Sequence, residues 1–460
     1  MRSSHAATAV DIAFDDPNLI ADAGLVPVVA LAEQIGLPEL VAGHVAIEGA
    51  ANSAGANPAA KVMSLLAGMV AGADSIDDID RLRHAGNAGV FDQIRAPSTL
   101  GTFLRAFTHG HVQQLNAVLR QTLIRLAERA PLLPGAEQVV FVDLDSAHRQ
   151  VYGYAKQGAA VGRLKGKKTL HPLLVTACTP LARPVVVAVR MRRGKSADVR
   201  GAPRLLAEAL TTVRALAPTA TIIVRGDSKF YSAEVVASAA RYGAAVSLTT
   251  GSNPSVNAAI TQIPDTAWSA IHYPNAFVDQ DTGELASDAE VAQTRYTAFT
   301  SHPKNKQVIG RLIVRRVKRL SPAPDQDGLF DAWRHHAVFV TSDFEMLQAE
   351  ACHRDHAIIE QLIADGAASA LAHLPSGSFN ANAAWAVLWA IAHNLTRATG
   401  ALASAFHARA TTPTIRAHLI NIPARLAHHS RRLTLHLPRQ WPWEPAWHTL
   451  HAAIHRPHAA

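Results

Sequence analysis

The chain has 460 residues, of which 48% are hydrophobic and 17% charged, and its formal net charge is +8. This composition excludes a disordered chain, and the length predicts a globular protein of roughly two to four modules. Its two cysteines, Cys178 and Cys352, do not suggest a disulfide framework and suit a reducing compartment. The first residues lack a signal-peptide core and no apolar run reaches about 18 residues, so we expect a cytoplasmic protein without membrane contact.

Charge is unevenly distributed along the chain. Residues 1–100 hold 12 acidic and 5 basic residues, whereas residues 148–204 hold 13 Lys and Arg and a single acid, Asp198. Residues 401–460 hold 7 Arg, 9 His and one acid. Such basic blocks either form solvated surface or bind a polyanion. For the block that begins directly after Asp145 we favour nucleic acid.

The first part of the chain has a helical pattern. Apolar residues recur with a spacing near 3.6 across residues 17–130, which predicts several helices broken by Gly and Pro. The pattern within residues 98–130 is compatible with a helix-turn-helix and with simple bundle packing, and we favour the bundle. The sequence PLLPG at 131–135 reads as a linker that ends this helical region.

After this linker the pattern changes to strands alternating with a helix, which predicts an α/β core. Two apolar, strand-like runs end in aspartates, VVFVDLD at Asp145 and TIIVRGD at Asp227. Residues 250–345 contain alternating apolar and polar side chains and predict a β-rich insertion.

Helical periodicity resumes near residue 347. Trp385, Trp389 and His393 recur at every fourth position, which is typical of a helix face packed into a core. The prolines and the Arg/His content of the C-terminal end predict a loosely ordered basic tail.

Three carboxylates stand where a divalent-cation site could form: Asp145, Asp227, and Glu360 on the predicted helix HRDHAIIEQLIAD. Hard ions such as Mg²⁺ take oxygen ligands from a few carboxylates and from substrate phosphates. By spacing alone Asp143 is an equal candidate, because it lies on the same strand face as Asp145. Asp227 could instead cap the predicted helix SAEVVASAA.

A second metal hypothesis concerns the same helix. His353, His356 and Glu360 recur at i, i+3 and i+7 and therefore share one helix face. Two imidazoles and a carboxylate could bind zinc. No further His or Cys ligand is evident nearby, so we disfavour this site.

Ordered sequence blocks along nearly the whole chain resemble one known family. They include KVMSLLAGMVAGADSIDDIDRLR, VDLDSAHRQVYGYAKQGA, GKKTLHPLLV, VRGDSKFYS, HRDHAIIEQLIAD and AAWAVLWAIAHNL. The chain resembles DDE transposases of bacterial insertion sequences, and within them the insertion-sequence 1380 family. By this resemblance the first acid is Asp145, which is followed by a hydroxyl residue, and not Asp143; the second is Asp227 and the third is Glu360.

The resemblance also implies a fold and its divisions. We expect an α/β protein with a ribonuclease H-like catalytic core that is interrupted by a β-rich insertion, between helical N-terminal and C-terminal regions. The predicted divisions are a DNA-end-binding helical region at 1–135, core segments at 136–250 and 346–405, the insertion at 251–345, and a basic tail at 406–460.

The implied activity is DNA transposition, with Asp145, Asp227 and Glu360 binding two Mg²⁺ (or Mn²⁺) ions that assist strand cleavage and attack of the new 3′-hydroxyl on target DNA. The implied partners are double-stranded DNA, as terminal inverted repeats and target, and a second copy of the chain, since synapsis of two ends needs at least a dimer. Such a protein would be associated with the bacterial nucleoid. The residues that we expect to contact DNA are Lys165, Lys167, Lys168, Arg192, Arg193, Lys195, Arg225, Lys229, Arg315, Arg316, His353, Arg354 and His356.

The glutamate helix departs from the family pattern. Related transposases carry a Tyr and an Arg before the glutamate and a Lys after it, which hold DNA phosphates. Here His353, His356 and Ala367 stand at those places. An alternative function is therefore an impaired or domesticated transposase that only binds DNA ends, and a stand-alone metal-dependent nuclease or phosphatase is a third hypothesis that leaves the helical region unexplained.

Overall fold

The computed structural model describes residues 10–48, 53–162, 164, 166–278, 285–318, 333–429 and 432–455. Lys165, one of the expected DNA contacts, lies outside these residues.

The N-terminal region is helical, as its periodicity predicts. Glycines allow sharp breaks between its helices: Gly36 and Gly72 adopt φ of 66° and 108°, a region that favours glycine. The side chain of Thr108 caps the longest of these helices. The elements are β1 (Leu19–Ile20), α1 (Leu25–Gln34), α2 (Leu37–His44), α3 (Pro58–Ala71), α4 (Pro97–Arg105) and α5 (His109–Arg129).

A mixed sheet follows the linker. In chain order its segment contains β2 (Val139–Ser146), β3 (Arg149–Gln150), β4 (Ala160–Val161), β5 (Lys168–Leu170), β6 (Leu173–Cys178), β7 (Val185–Arg190), α6 (Ala202–Leu216), β8 (Thr221–Gly226), α7 (Ala233–Arg241) and β9 (Ala245–Thr249). The core strands are ordered β7-β6-β2-β8-β9. β6 is antiparallel to both its neighbours, whereas β2, β8 and β9 are mutually parallel. This is the strand order of a ribonuclease H-like fold, so the predicted fold class is confirmed.

The stretch expected to be a β-rich insertion extends this sheet. It contains α8 (Pro254–Thr261), β10 (Ser269–Val278), β11 (Leu285–Ala298), β12 (Val308–Lys318) and β13 (Trp333–Val340). All four strands are antiparallel to their neighbours, and β13 pairs with β9, so that the sheet has nine strands in the described part of the chain.

The remaining elements are mainly helical: α9 (Met346–Arg354), α10 (Ile358–Ala367), α11 (Phe379–Ala403), α12 (Ala405–Arg409), α13 (Thr412–Ile415), β14 (Ala424–His429), β15 (Arg432–His436) and α14 (Glu444–His455). α11 is buried along nearly its whole length and packs against α3, α5 and β7. The predicted packing of Trp385 and Trp389 into the core is confirmed, since both are buried and their indole N–H groups donate to Ala370 O and Ser369 Oγ. His393 is buried beside them, and burial lowers its pKa to about 3.

The C-terminal end differs from the expected loose tail. Leu419, Trp447 and Leu450 are buried in the main core, and β14 pairs with β1. The apolar side chains spaced between its Arg and His residues are enough to dock it on the helical region. Among the described residues no single helix has the length and apolar character to cross a membrane, although α1 and α2 together, bent by 57°, pass that test by length and composition.

Candidate active site on the sheet

Two of the three predicted acids meet at the carboxyl ends of parallel strands. β2 and β8 pair in the register Asp143 with Arg225 and Leu144 with Gly226, so the next pair along is Asp145 with Asp227. Because strand side chains alternate, Asp143 and Asp145 project from the face opposite to that of Leu144, which is buried in the main core. Both acids of the pair therefore lie on one face and at one edge.

Asp145 is a partly desolvated carboxylate. Burial raises its pKa, the backbone N–H of Ser146 opposes that by donating to Oδ1 at 2.6 Å, and the charge of Asp227 raises it again. The charges of His356 and Lys229 lower this pKa, but they rank after the other causes. The carboxylate thus has a nearby negative neighbour and weak compensation, which is the electrostatic situation that a bound cation would relieve.

Asp227 is more open, with its side chain 37% exposed. Its Oδ1 accepts a hydrogen bond from the backbone N–H of Lys229 at 3.0 Å, and its Oδ2 lies 3.1 Å from Lys229 Nζ. The alternative that Asp227 caps the following helix is wrong, because Ser232 caps α7 by accepting from Val235 N. Asp227 caps only the short 3₁₀ turn Ser228–Phe230.

Asp143 is excluded as a metal ligand by its hydrogen bonds. It is fully buried, and Arg225 donates to both its oxygens, at 2.6 Å from Nε and 2.8 Å from Nη2. His356 Nδ1 lies 2.9 Å from Oδ1 and Cys178 Sγ donates to Oδ2. Burial alone would raise the pKa of Asp143, but the Arg225 charge and these hydrogen bonds lower it to about 2.

Asp143 and Arg225 form a buried ion pair beneath Asp145 and Asp227. They are register partners on adjacent strands, and each stands two residues before one of the acids, Asp145 and Asp227. Arg225 also donates from Nη1 to Cys352 O at 2.6 Å, which connects this ion pair to α9. One buried guanidinium therefore links the two strands that lead to the acids with α9.

Glu360 lies on α10, which packs against β2, and its side chain is exposed. Arg149, three residues beyond the end of β2, donates to Ile363 O on this helix at 2.7 Å. His356 lies one turn before Glu360 and is hydrogen-bonded to Asp143. His356 and Glu360 both line a groove of ≈ 240 Å³. The structure thus brings Asp145 and Asp227 together and places Glu360 on the helix that covers their face.

The end of α10 explains one unusual feature of the sequence. A Cβ atom added to Gly366 would lie 2.9 Å from Trp389 Cζ2 and 3.4 Å from Arg149 Nη2. Only glycine lets the helix approach α11 this closely. The helix continues to Ala367 in spite of its weak helix-forming composition.

The zinc hypothesis is not supported, because its histidines are engaged separately. His353 lies between Ser247 Oγ and Thr249 Oγ1, at 3.0 and 2.9 Å from its two ring nitrogens. Burial lowers its pKa to about 3. His356 is bonded to Asp143.

The described residues contain a different His/Asp cluster, which sequence reasoning missed. His148, His171 and Asp198 bring one ligand atom each within 4.8 Å of one another. Arg192 lies 3.2 Å from His171 Nε2 and 3.9 Å from Asp198 Oδ1, so a guanidinium already neutralises this carboxylate, and a metal ion beside it would be repelled. The sequence signal was Asp198 itself, the one acid in the basic block.

Four expected DNA contacts are corrected by the structure. Arg192 and Arg225 are buried, Arg316 and His353 are half-buried, and all four are held by protein groups, so they are not available to a DNA backbone. Arg192 donates to Ser146 Oγ at 2.6 Å and to several carbonyl groups. Arg316, 14% exposed, lies between the rings of Trp268 and Trp333 and pairs with Glu290. The four are Arg192, Arg225, Arg316 and His353.

The other described candidates remain at or near the surface. His356 commits Nδ1 to Asp143, and Arg315 lies 3.9 Å from Glu350 with its side chain 20% exposed. The exposed basic residues are Lys167, Lys168, Arg193, Lys195, Lys229 and Arg354.

Comparison with known proteins identifies the family. A family model described as "Transposase DDE domain group 1" matches residues 2–459. A piggyBac transposase synaptic complex with hairpin DNA, solved by cryo-electron microscopy, is similar with a TM-score of 0.43 and 11% identity over 87% of this chain and 79% of that chain, a likeness too low to transfer any property. No curated protein matches the chain. Because the family model spans nearly the whole sequence, the chain belongs to the DDE transposases of domain group 1.

Proposed function

We propose that this transposase cleaves DNA at the ends of an insertion sequence and joins the resulting 3′-hydroxyl to target DNA, with Asp145, Asp227 and Glu360 as its catalytic acids. The observation that carries this proposal is the meeting of Asp145 and Asp227 at one strand edge, where burial and mutual repulsion raise the pKa of Asp145.

These acids fit Mg²⁺ or Mn²⁺ by their chemistry. They offer hard oxygen ligands only, and the Asp145–Asp227 pair has a charge that its neighbours leave incompletely balanced. When bound there, such ions supply an acidified water and stabilise the charge on the attacking and leaving oxygens. Glu360 would complete the ligand set from α10.

The chain's own residues supply orientation and affinity. The Asp143–Arg225 pair holds the two strand ends in register, and the Ser146 N–H fixes one oxygen of Asp145. The exposed basic residues would bind DNA phosphates, which gives salt-dependent affinity without choice of sequence. They are Lys167, Lys168, Arg193, Lys195, Lys229 and Arg354.

The test uses a labelled duplex of the inverted repeat that flanks the chain's own reading frame, with Mg²⁺ or Mn²⁺. We expect D145N, D227N and E360Q each to abolish strand cleavage while retaining a band shift. D92N, which changes an exposed aspartate in the N-terminal region, is the matched control and should cleave normally. Normal cleavage by both D145N and D227N would refute the assignment.

A second candidate function is a DNA-end-binding protein without catalysis. It is favoured by the glutamate helix, where His353 and His356 make internal hydrogen bonds and Ala367 has no group for a phosphate. In the same assay this protein would shift the duplex without cutting it, with both metals and at every protein concentration.

Finer placement within the family is also a proposal. The ordered blocks from KVMSLLAGMVAGADSIDDIDRLR to AAWAVLWAIAHNL support membership of the insertion-sequence 1380 group. A synaptic complex with two ends would then contain at least two copies of the chain, which light scattering of the DNA-bound protein can measure.

A further inference from the structure

A small sheet beside the acid pair exposes two aromatic rings. Its strands are ordered β3-β5-β4, and the segment that follows β3 carries Tyr152 and Tyr154 with exposures of 70% and 101%. Lys168 on β5 places Nζ 5.6 Å from the centre of the Tyr154 ring. An exposed aromatic ring does not gain the free energy that burial of its apolar area would provide. These rings therefore suit a surface that a partner covers.

This small sheet is anchored next to the proposed active site. β3 begins four residues after Asp145, and Arg149 on β3 donates to Ile363 O on the helix of Glu360. Further along, Gln157 N donates to Gly377 O at 2.9 Å and its Oε1 accepts from Phe379 N at 3.0 Å. Lys156 donates to Leu374 O. The segment that carries the two tyrosines is thus fixed at one end to α10 and at the other to the residues that lead into α11.

The charge of residues 146–197 indicates which class of partner this surface binds. No acidic residue occurs between Asp145 and Asp198, and the segment contains many Lys and Arg residues, so its charge fits a polyanion. Phosphates can pair with Lys167 and Lys168, whereas the tyrosine rings need a flat apolar face. Paired duplex DNA hides its base faces in the stack, and unpaired nucleotides present them.

We propose that Tyr152 and Tyr154, with Lys168 beside them, form a stacking platform for unpaired nucleotides of single-stranded DNA next to the acid pair. The proposal rests on the proposed function, because strand cleavage at a DNA end is what would deliver unpaired bases to this place. Base stacking on aromatic rings tolerates any base sequence, so the platform would guide a strand without reading it.

The test measures fluorescence anisotropy of the full chain with a labelled single-stranded 20-mer of mixed sequence and with the same strand in a duplex. We expect Y154A and Y152A each to weaken single-strand binding about 5- to 150-fold and duplex binding by less than about twofold. Y154F and Y152F are the matched controls and should bind like the unchanged chain. K168A should weaken both and reduce the slope of log affinity against log salt by about 0.7 for the single strand.

Two results would overturn the platform: single-strand binding that Y154A and Y152A leave unchanged, or equal losses on single strand and duplex, which would mean phosphate contact only. Cleavage of the flanking repeat is measured separately. A chain that cleaves but shows no tyrosine effect refutes the platform alone, whereas tyrosine-dependent binding without cleavage refutes the proposed catalysis alone.

Discussion

Replacing Arg225 by methionine tests whether one buried ion pair holds the site together. Arg225 is 1% exposed and supplies two of the four hydrogen bonds that satisfy Asp143, which is fully buried. The fall of the Asp143 pKa from 3.8 to about 2 corresponds to about 2 kcal/mol of stabilisation of its charged form. Removing one partner of a buried pair costs about 3–5 kcal/mol, because the other charge stays buried.

Urea unfolding followed by tryptophan fluorescence measures this loss. We expect R225M to lower the free energy of unfolding by about 3–5 kcal/mol, while R193M, a matched change of an exposed arginine, changes it by less than about 0.5 kcal/mol. The double variant D143L/R225M should recover most of the loss, since an apolar pair leaves no buried charge. A shift in R225M no larger than in R193M would refute the reasoning, as would a double variant no more stable than R225M.

Three further outcomes are expected. First, the pKa of His353 is about 3 in the fold, so this side chain is neutral there. The unfolded chain binds this proton more readily, and the contribution of His353 to stability therefore falls as the pH falls from about 6.5 towards 3. H353Q should reduce the dependence of the melting temperature on pH in that window, and an unchanged slope would contradict this. Second, Mn²⁺ at about 100 times its Kd should stabilise the chain by about 2.7 kcal/mol but leave D145N and D227N unchanged, measured by thermal melting; equal stabilisation of all three would place the ion elsewhere. Third, W385A should cost about 3–5 kcal/mol through the cavity it leaves, with W385F as the milder control, and a urea midpoint equal to that of the unchanged chain would show that the residue is not packed.

Local patterns in the chain predicted elements well where apolar residues form a continuous run or recur at a regular spacing. The strand that carries Asp145, the helix with Trp385 and Trp389 and the β-rich stretch after residue 250 all show such patterns. The prolines and the Arg/His content of the C-terminal end predict a loosely ordered tail. Its docking depends instead on partners such as β1, which is about 400 residues away in the sequence.

The arginines show a second limit of prediction from sequence. Arg192, Arg225 and Arg316 are indistinguishable by sequence from surface arginines, since any arginine in a basic block can face solvent or a buried carboxylate. Their acceptors come from other segments: Ser146, Asp143 and Glu290 respectively. A lone acid in such a block, like Asp198, is the signal that some of these charges are neutralised internally.

The sequence alone assigns the chain to the DDE transposases and proposes three acids in order. It can do so because ordered sequence blocks and strand-end aspartates are local features, which can be recognised without knowing any tertiary contact. The resemblance already favoured Asp145 over Asp143 in VVFVDLD, and the tertiary structure supplies the physical reason. Asp143 and Asp145 are equivalent by spacing, but pairing of β2 with β8 sets Arg225 against Asp143 and leaves Asp145 beside another carboxylate. That difference arises from strand register, which no single segment contains.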